Sequence, residues 1–416
     1  MNRHLSLTSR TKQLGAGLLI FMILMLSIAG GTLYIANNQK SDIRIKNNQS
    51  TQQALSQAKL ILENFSISFD PTLATNPAIG RLPFPDRFNG SFDGNGNCFA
   101  GTLNNNLLIG RFPWLGSTTP CSNVLINANL KDAGNNPLWY VVSKHMVEHS
   151  INTTFSPDFL DPDPLTHPGW LTIFDHNGKV ISDRVAFIVF SPGNAFGTQN
   201  RSNSATNNYL DSYNVPGQGI INNAENDLRF VKAPYTQNSF NDQLVYMTID
   251  ELMPKLERRV LTELRSLLIF HQNGTAGEYP LPTTTADFSQ TCDSTTAPSP
   301  GYGFIARLNS TANPCPSVLS VPIYLNAWLD YILYETRQDC VNGFTPQGCG
   351  NIVNANALTV NGTNNVDFVL ISTGFHPFGA FTINTDIDDI INQTPDQIYI
   401  SPTINQTINQ DQLIFQ

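Results

Sequence analysis

Gly80-Arg-Leu-Pro-Phe-Pro85 returns later in the chain as Gly277-Glu-Tyr-Pro-Leu-Pro282, and the two blocks are the first of several matched pairs. Cys98 and Cys121 lie 23 residues apart, as do Cys292 and Cys315. The second cysteine of each pair follows a proline, Pro120 or Pro314. Val185-Ala-Phe-Ile-Val-Phe-Ser-Pro-Gly193 returns as Val366-Asp-Phe-Val-Leu-Ile-Ser-Thr-Gly374. Asp242-Gln-Leu-Val-Tyr-Met-Thr248 is matched to Asp396-Gln-Ile-Tyr-Ile-Ser401. All of these blocks keep one order, so the chain reads as two copies of one domain. Duplication of this kind constrains fold rather than chemistry.

At 416 residues the chain is long enough for two or three domains, each with its own core. Hydrophobic residues make up 41% and charged residues only 13%, about half the usual fraction. Asn, Gln, Thr, Ser and Gly take the place of charge, a neutral polar surface suited to work outside the cytoplasm. The net charge of −9 comes with no basic patch, so nucleic acid is not an expected partner. All six cysteines lie after residue 97. The repeat selects Cys98–Cys121, Cys292–Cys315 and Cys340–Cys349 from the fifteen pairings six cysteines allow. Free buried thiols are the competing reading.

Between Gln13 and Gln39 there is no charged side chain, and Gly15 to Ile35 is almost wholly apolar. About 20 helical residues cross a bilayer core of about 30 Å. The stretch predicts one transmembrane helix, with Arg3, Arg10 and Lys12 on the cytoplasmic side. A cleaved signal peptide, with its apolar stretch ending near Ala29-Gly-Gly31, is the alternative. No proline occurs before Asp70. Residues 50–65 carry a helical stripe at Ala54, Ala58, Leu60, Ile61 and Phe65, so one long helix is expected to run into the soluble part.

Each unit is expected to start with a helix. In the second, Thr248-Ile-Asp-Glu251 has the form of a capping box. Leu252, Leu256, Val260, Leu264 and Leu267 follow as a stripe, and Pro254 offers an alternative starting point. After the proline block and the cysteine loop come aromatic patches, Pro137-Leu-Trp-Tyr-Val-Val142 and Ala327-Trp-Leu-Asp-Tyr-Ile-Leu-Tyr334. Hairpins turning at Asp175-His-Asn-Gly178 and Asn361-Gly362 follow, then a last strand. A helix followed by a small antiparallel sheet makes an α+β unit.

An N-terminal apolar helix running into a helix packed on an antiparallel sheet resembles the type IV pilins and the type II secretion pseudopilins. Asp132-Ala-Gly-Asn-Asn-Pro-Leu-Trp-Tyr140 is similar to the block that opens the sheet of major pseudopilins, and Phe187-Ile-Val-Phe-Ser-Pro-Gly193 to a later strand of theirs. The resemblance covers residues 13–195 and reaches the second half through the repeat. It implies a transmembrane helix and a pilin-like unit duplicated in tandem. The expected organisation is a cytoplasmic N-terminus (1–14), the transmembrane helix (15–36), and two periplasmic domains (37–247 and 248–416). It also implies an inner-membrane location, and other pilin or pseudopilin subunits and inner-membrane assembly proteins as partners. Gly15 and Gly17 are the candidate processing glycines. The fifth residue after either, Ile20 or Met22, is not the glutamate of that family, which points to a minor or accessory subunit.

Two patterns invite chemistry. Asp93-Gly-Asn-Gly-Asn97, with Asp86 nearby, has the alternating oxygen donors of a calcium loop. The candidate ligands are Asp86, Asp93, Asn95 and Asn97, and the bland alternative is a Gly/Asn turn. Asp386, Asp388 and Asp389 are a weaker second candidate. His145-Met-Val-Glu-His149 matches the inverted zinc-peptidase pattern, in which a helix presents both histidines and Glu148 acts as base. Its counterpart in the second unit, around Thr336 to Cys340, has no histidine. The expectation is therefore a non-enzymatic structural or accessory component of a pilus or secretion-like assembly. A surface recognition module and a zinc hydrolase are the alternatives.

Overall fold

The computed structural model describes residues 11–68, 79–99, 103–117, 126–147, 156–157, 160, 169–197, 199–236, 239–274, 279–280, 282–283, 302–305, 319, 321–336, 358–360, 363–372, 398–399 and 412–415. Helix α1 spans Thr11–Ser68, and its side chains are described over 21–27 and 45–68. The side chains from Ile45 to Ser50 are exposed, and packing begins at Thr51. Ala54, Leu55, Ala58, Leu62 and Phe65 are buried. The buried stripe therefore runs through Leu55 and Leu62 rather than Leu60, which is exposed. Fully burying each of those leucines contributes about 1.5–3 kcal/mol.

The first sheet holds six strands: β1 (Ile109–Arg111), β2 (Trp139–Val142), β3 (Leu171–Asp175), β4 (Val180–Ser191), β5 (Arg229–Lys232) and β6 (Gln243–Thr248). Their order is β1-β2-β4-β3-β5, with β6 also paired to β4. The β3–β4 turn has Asn177 and Lys179 donating backbone N–H to Asp175 Oδ1, at 2.9 and 2.8 Å, as an Asp-led turn requires. One sheet face packs on α1 and helix α2 (Ile249–Gly274) around Tyr140, Phe187 and Val189. The other buries Trp139, Ile188 and Phe190 under the loops.

The second half uses β7 (Pro282–Thr283), β8 (Tyr302–Ile305), β9 (Ile332–Thr336), β10 (Leu358–Val360), β11 (Thr363–Val366), β12 (Phe368–Ser372), β13 (Ile398–Tyr399) and β14 (Gln412–Phe415). One sheet runs β7-β8-β9-β12-β14 and the other β11-β10-β13. Strand register reproduces the sequence repeat. Tyr140 lies opposite Val189, and Tyr334 opposite Leu370. Each tyrosine hydroxyl donates to a carbonyl of the proline block, Tyr140 to Pro83 and Tyr334 to Pro280, both at 3.1 Å. Each ring also rests near the corresponding phenylalanine, Phe187 at 6.3 Å and Phe368 at 6.4 Å. The prolines hold an extended segment whose carbonyl meets a buried donor.

Register also moves the last repeated block. Gln243 pairs with Ser191, and its counterpart opposite Ser372 is Gln412. The partner of Asp242-Gln-Leu-Val-Tyr246 is therefore Asp411-Gln-Leu-Ile-Phe415, not Asp396-Gln-Ile-Tyr-Ile-Ser401. Ile398 and Tyr399 instead pair in parallel with β10, as Arg229 and Phe230 do with β3.

The expected fold class is corrected in two respects. The sheets are not antiparallel throughout, because β3–β5 and β10–β13 are parallel pairs, and the architecture is mixed α/β. The N-terminal transmembrane helix is not borne by the structure: among the described residues no helix is long and apolar enough to cross a membrane.

Helix α2 begins where its capping box places it, with Thr248 Oγ1 accepting the Glu251 N–H at 3.1 Å. It runs through Pro254 and buries Leu252, Leu256, Val260, Leu264 and Leu268, with Leu267 only partly covered. It lies beside α1 in the same direction. Lys59 pairs with Glu251 at 2.8 Å, Lys255 with Glu63 one turn on, and Arg259 donates to the Ile67 carbonyl a turn beyond. That last contact satisfies one of the open carbonyls at the end of α1.

Candidate functional site

The loop after the first proline block places three of its four candidate calcium ligands in contacts within the protein. Asp86 is buried, and its Oδ2 accepts the Gly94 N–H at 2.9 Å. Asp93 Oδ1 accepts the Asn95 N–H at 2.9 Å. Asn97 Oδ1 accepts the Arg87 N–H, while the Arg87 guanidinium donates to the Asn97 carbonyl at 2.9 Å. Burial, aided by the charge of Asp93 and opposed by the Gly94 N–H, pushes the Asp86 carboxyl up to about 6. Gly94 has φ +87°, and a Cβ there would lie 2.3 Å from the Trp114 indole, so the turn closes only with glycine.

A calcium ion needs six to eight oxygens converging on one point. Here Asp86 Oδ2, Asp93 Oδ1 and Asn97 Oδ1 each accept a backbone N–H, and an arginine side chain lies across the loop. Among the described residues no group of three or more His, Cys, Asp or Glu is gathered to hold a metal. These hydrogen bonds are those of a turn bracing the proline block. Asp386, Asp388 and Asp389 lie outside the described residues.

His145 belongs to a 3₁₀ turn, Lys144–Met146, whose next residue, Val147, is extended at φ −98° and ψ 153°. The turn ends before Glu148 and His149, which lie outside the described residues. No α-helix therefore carries the motif past Met146. The imidazole is buried and stacked on Trp170, with ring centroids 4.8 Å apart. Cys98 is disulfide-bonded, and Cys121, Cys292, Cys315, Cys340 and Cys349 lie outside the described residues. Gly15 and Gly17 fall within the helical span of α1.

Composition and motif did not point to the polar network at the far end of β4. Ser191 Oγ donates to Asp132 Oδ2 at 3.0 Å, and the Asn136 side chain bridges Asp132 to the Gly193 carbonyl. Asp242 Oδ2 accepts the Asp211 N–H at 2.8 Å and the Asn223 amide at 3.0 Å. Asp211 Oδ2 in turn accepts the Asn241 N–H at 2.7 Å. Burial raises both carboxyls, Asp242 well above the usual range with the Asp211 charge adding to it. One oxygen of each accepts a backbone N–H, and side-chain amides of Asn223 and Gln199 add to them, so the network ties the long connections between β4 and β6 together. Asp242 entered the sequence reading only as the first letter of a repeated block.

Two surfaces stand out among the described residues. Phe21 to Leu26 of α1 are more than half exposed, six large apolar side chains in succession. A groove of about 410 Å³ runs along β6, lined by Asp242 to Tyr246 with Gln52, Lys59, Lys232 and Glu251. No family model, no curated protein and no solved structure matches this chain.

Proposed function

We propose that this chain is a non-enzymatic structural or accessory subunit of a pilus-like or secretion-like assembly, using α1 as its contact stem. The observation that carries the reading is the division of labour along α1. The helix has 58 residues, yet the described side chains pack on the body only from Thr51 onward. An exposed run of large apolar residues is unfavourable in water and calls for a covering partner. Neighbouring subunits with similar apolar helices are the fitting partners. The disulfide at Cys98 and the low charge content favour the periplasm or the cell surface as the place of work. A zinc hydrolase is disfavoured by the extended backbone at Val147.

The test is association of the full chain with pilus or secretion-apparatus subunits, by co-purification from cells. Ile23→Asp with Leu26→Asp should abolish it while leaving cooperative unfolding of the body unchanged. Association that is absent in the wild type, or indifferent to both substitutions, would overturn the reading.

A further inference from the structure

Strand β6 has a partner on one edge only: among the described strands it pairs with β4 and with nothing else. Natural edge strands are usually blunted by proline, lysine, a short length or a covering element. Gln243-Leu-Val-Tyr-Met-Thr248 is six residues long and contains neither proline nor lysine. Five consecutive residues, Asp242 to Tyr246, line the groove beside it. Because successive side chains point to opposite faces, a groove touching every residue in a row follows the strand edge.

The charges on the groove are arranged end to end. Lys232 lies at the start of β6, because Asn223 holds both the Val231 carbonyl, at 3.2 Å, and Asp242 Oδ2, at 3.0 Å. Glu251 lies just past the other end, capped by Thr248 at 3.1 Å. Lys59 already engages Glu251 Oε2 at 2.8 Å, and the Glu251 side chain remains 48% exposed. An antiparallel two-fold partner brings the start of one strand to the end of the other. Lys232 of each copy then meets Glu251 of its mate, and one symmetry operation makes both ion pairs.

We propose that the β6 edge is a self-complementary docking surface for a second copy of this chain. The two β6 strands pair antiparallel and extend the first sheet across a two-fold axis, with Lys232–Glu251 pairs at either end. This contact is separate from the apolar stem of α1 and does not depend on the role proposed for that stem.

Position-specific cross-linking of the full chain tests it. Val245 lies near the middle of β6, so Val245→Cys should give a covalent dimer under mild oxidation. Adding Lys232→Glu should cut the yield about tenfold, since two attractive pairs become repulsive. Adding Glu251→Lys to that variant should restore it. No covalent dimer from Val245→Cys in protein that unfolds cooperatively like the parent would overturn the proposal. So would a yield indifferent to Lys232→Glu, which would assign the contact to collisions or to association through α1.

Discussion

Glu257 sits in the middle of α2, 2% exposed, where Ser372 Oγ at the end of β12 donates to its Oε1 at 3.1 Å. Burial raises its carboxyl from the ordinary 4.5 to about 8, with only the Ser372 hydrogen bond opposing. The folded protein therefore holds this proton through neutral pH, while the unfolded chain releases it above about 4.5. Below that value both states are protonated and Glu257 adds no pH dependence. Between pH 4.5 and 8 the unfolded state binds fewer protons, so stability falls with rising pH by about 1.4 kcal/mol per unit. The loss levels off above pH 8, at about 5 kcal/mol in all. Glu257→Gln keeps the shape and the acceptor but has no proton to lose. Urea unfolding followed by circular dichroism at pH 5, 7 and 9 should show the variant close to the parent at pH 5. At pH 9 it should be more stable by several kcal/mol, with the gap widening steadily between. Parent and variant curves that stay parallel across this range would refute the reasoning, as would a parent that gains stability over it relative to the variant.

Two further outcomes follow from the geometry. Tyr140→Phe strands the buried Pro83 carbonyl and Tyr334→Phe strands that of Pro280; each should cost about 1–3 kcal/mol in denaturant unfolding. A large cost from one and none from the other would show that the repeated hydrogen bond is not an equivalent brace. Gly94→Ala places a methyl against Trp114 at positive φ and should lower stability by more than about 1 kcal/mol. The same change should shift Trp114 fluorescence, and an unaltered spectrum with unaltered stability would contradict the packing described for this turn.

The repeated blocks were legible because each rests on a local chemical demand: prolines for an extended segment, an aromatic donor for a buried carbonyl, a small turn signal. The capping box at Thr248 was legible for the same reason. The stripe on α1 was read at the right period but not quite on the right face, since Leu60 and Leu55 differ only in which side the sheet occupies. The last repeated block was matched to the wrong strand. Asp396-Gln-Ile-Tyr and Asp411-Gln-Leu-Ile are equally good strand sequences, and only pairing with β12 distinguishes them. The spacing of Asp93-Gly-Asn-Gly-Asn97 is equally that of a turn, and the fold sets one oxygen each of Asp93, Asp86 and Asn97 against the N–H groups of Asn95, Gly94 and Arg87. His145 and His149 share a face only on a helix, and Val147 is extended.

By itself the sequence determined the order of the repeated blocks, where α2 is capped, and where the aromatic patches lie, because these follow from periodicity and near-neighbour chemistry. Tertiary structure alone decided the parallel strand pairs, the alignment of α1 with α2, the burial of Glu257, and the pairing of β6 with β4. Those depend on which distant segments meet, and strand pairing and desolvation are properties of the meeting rather than of either segment.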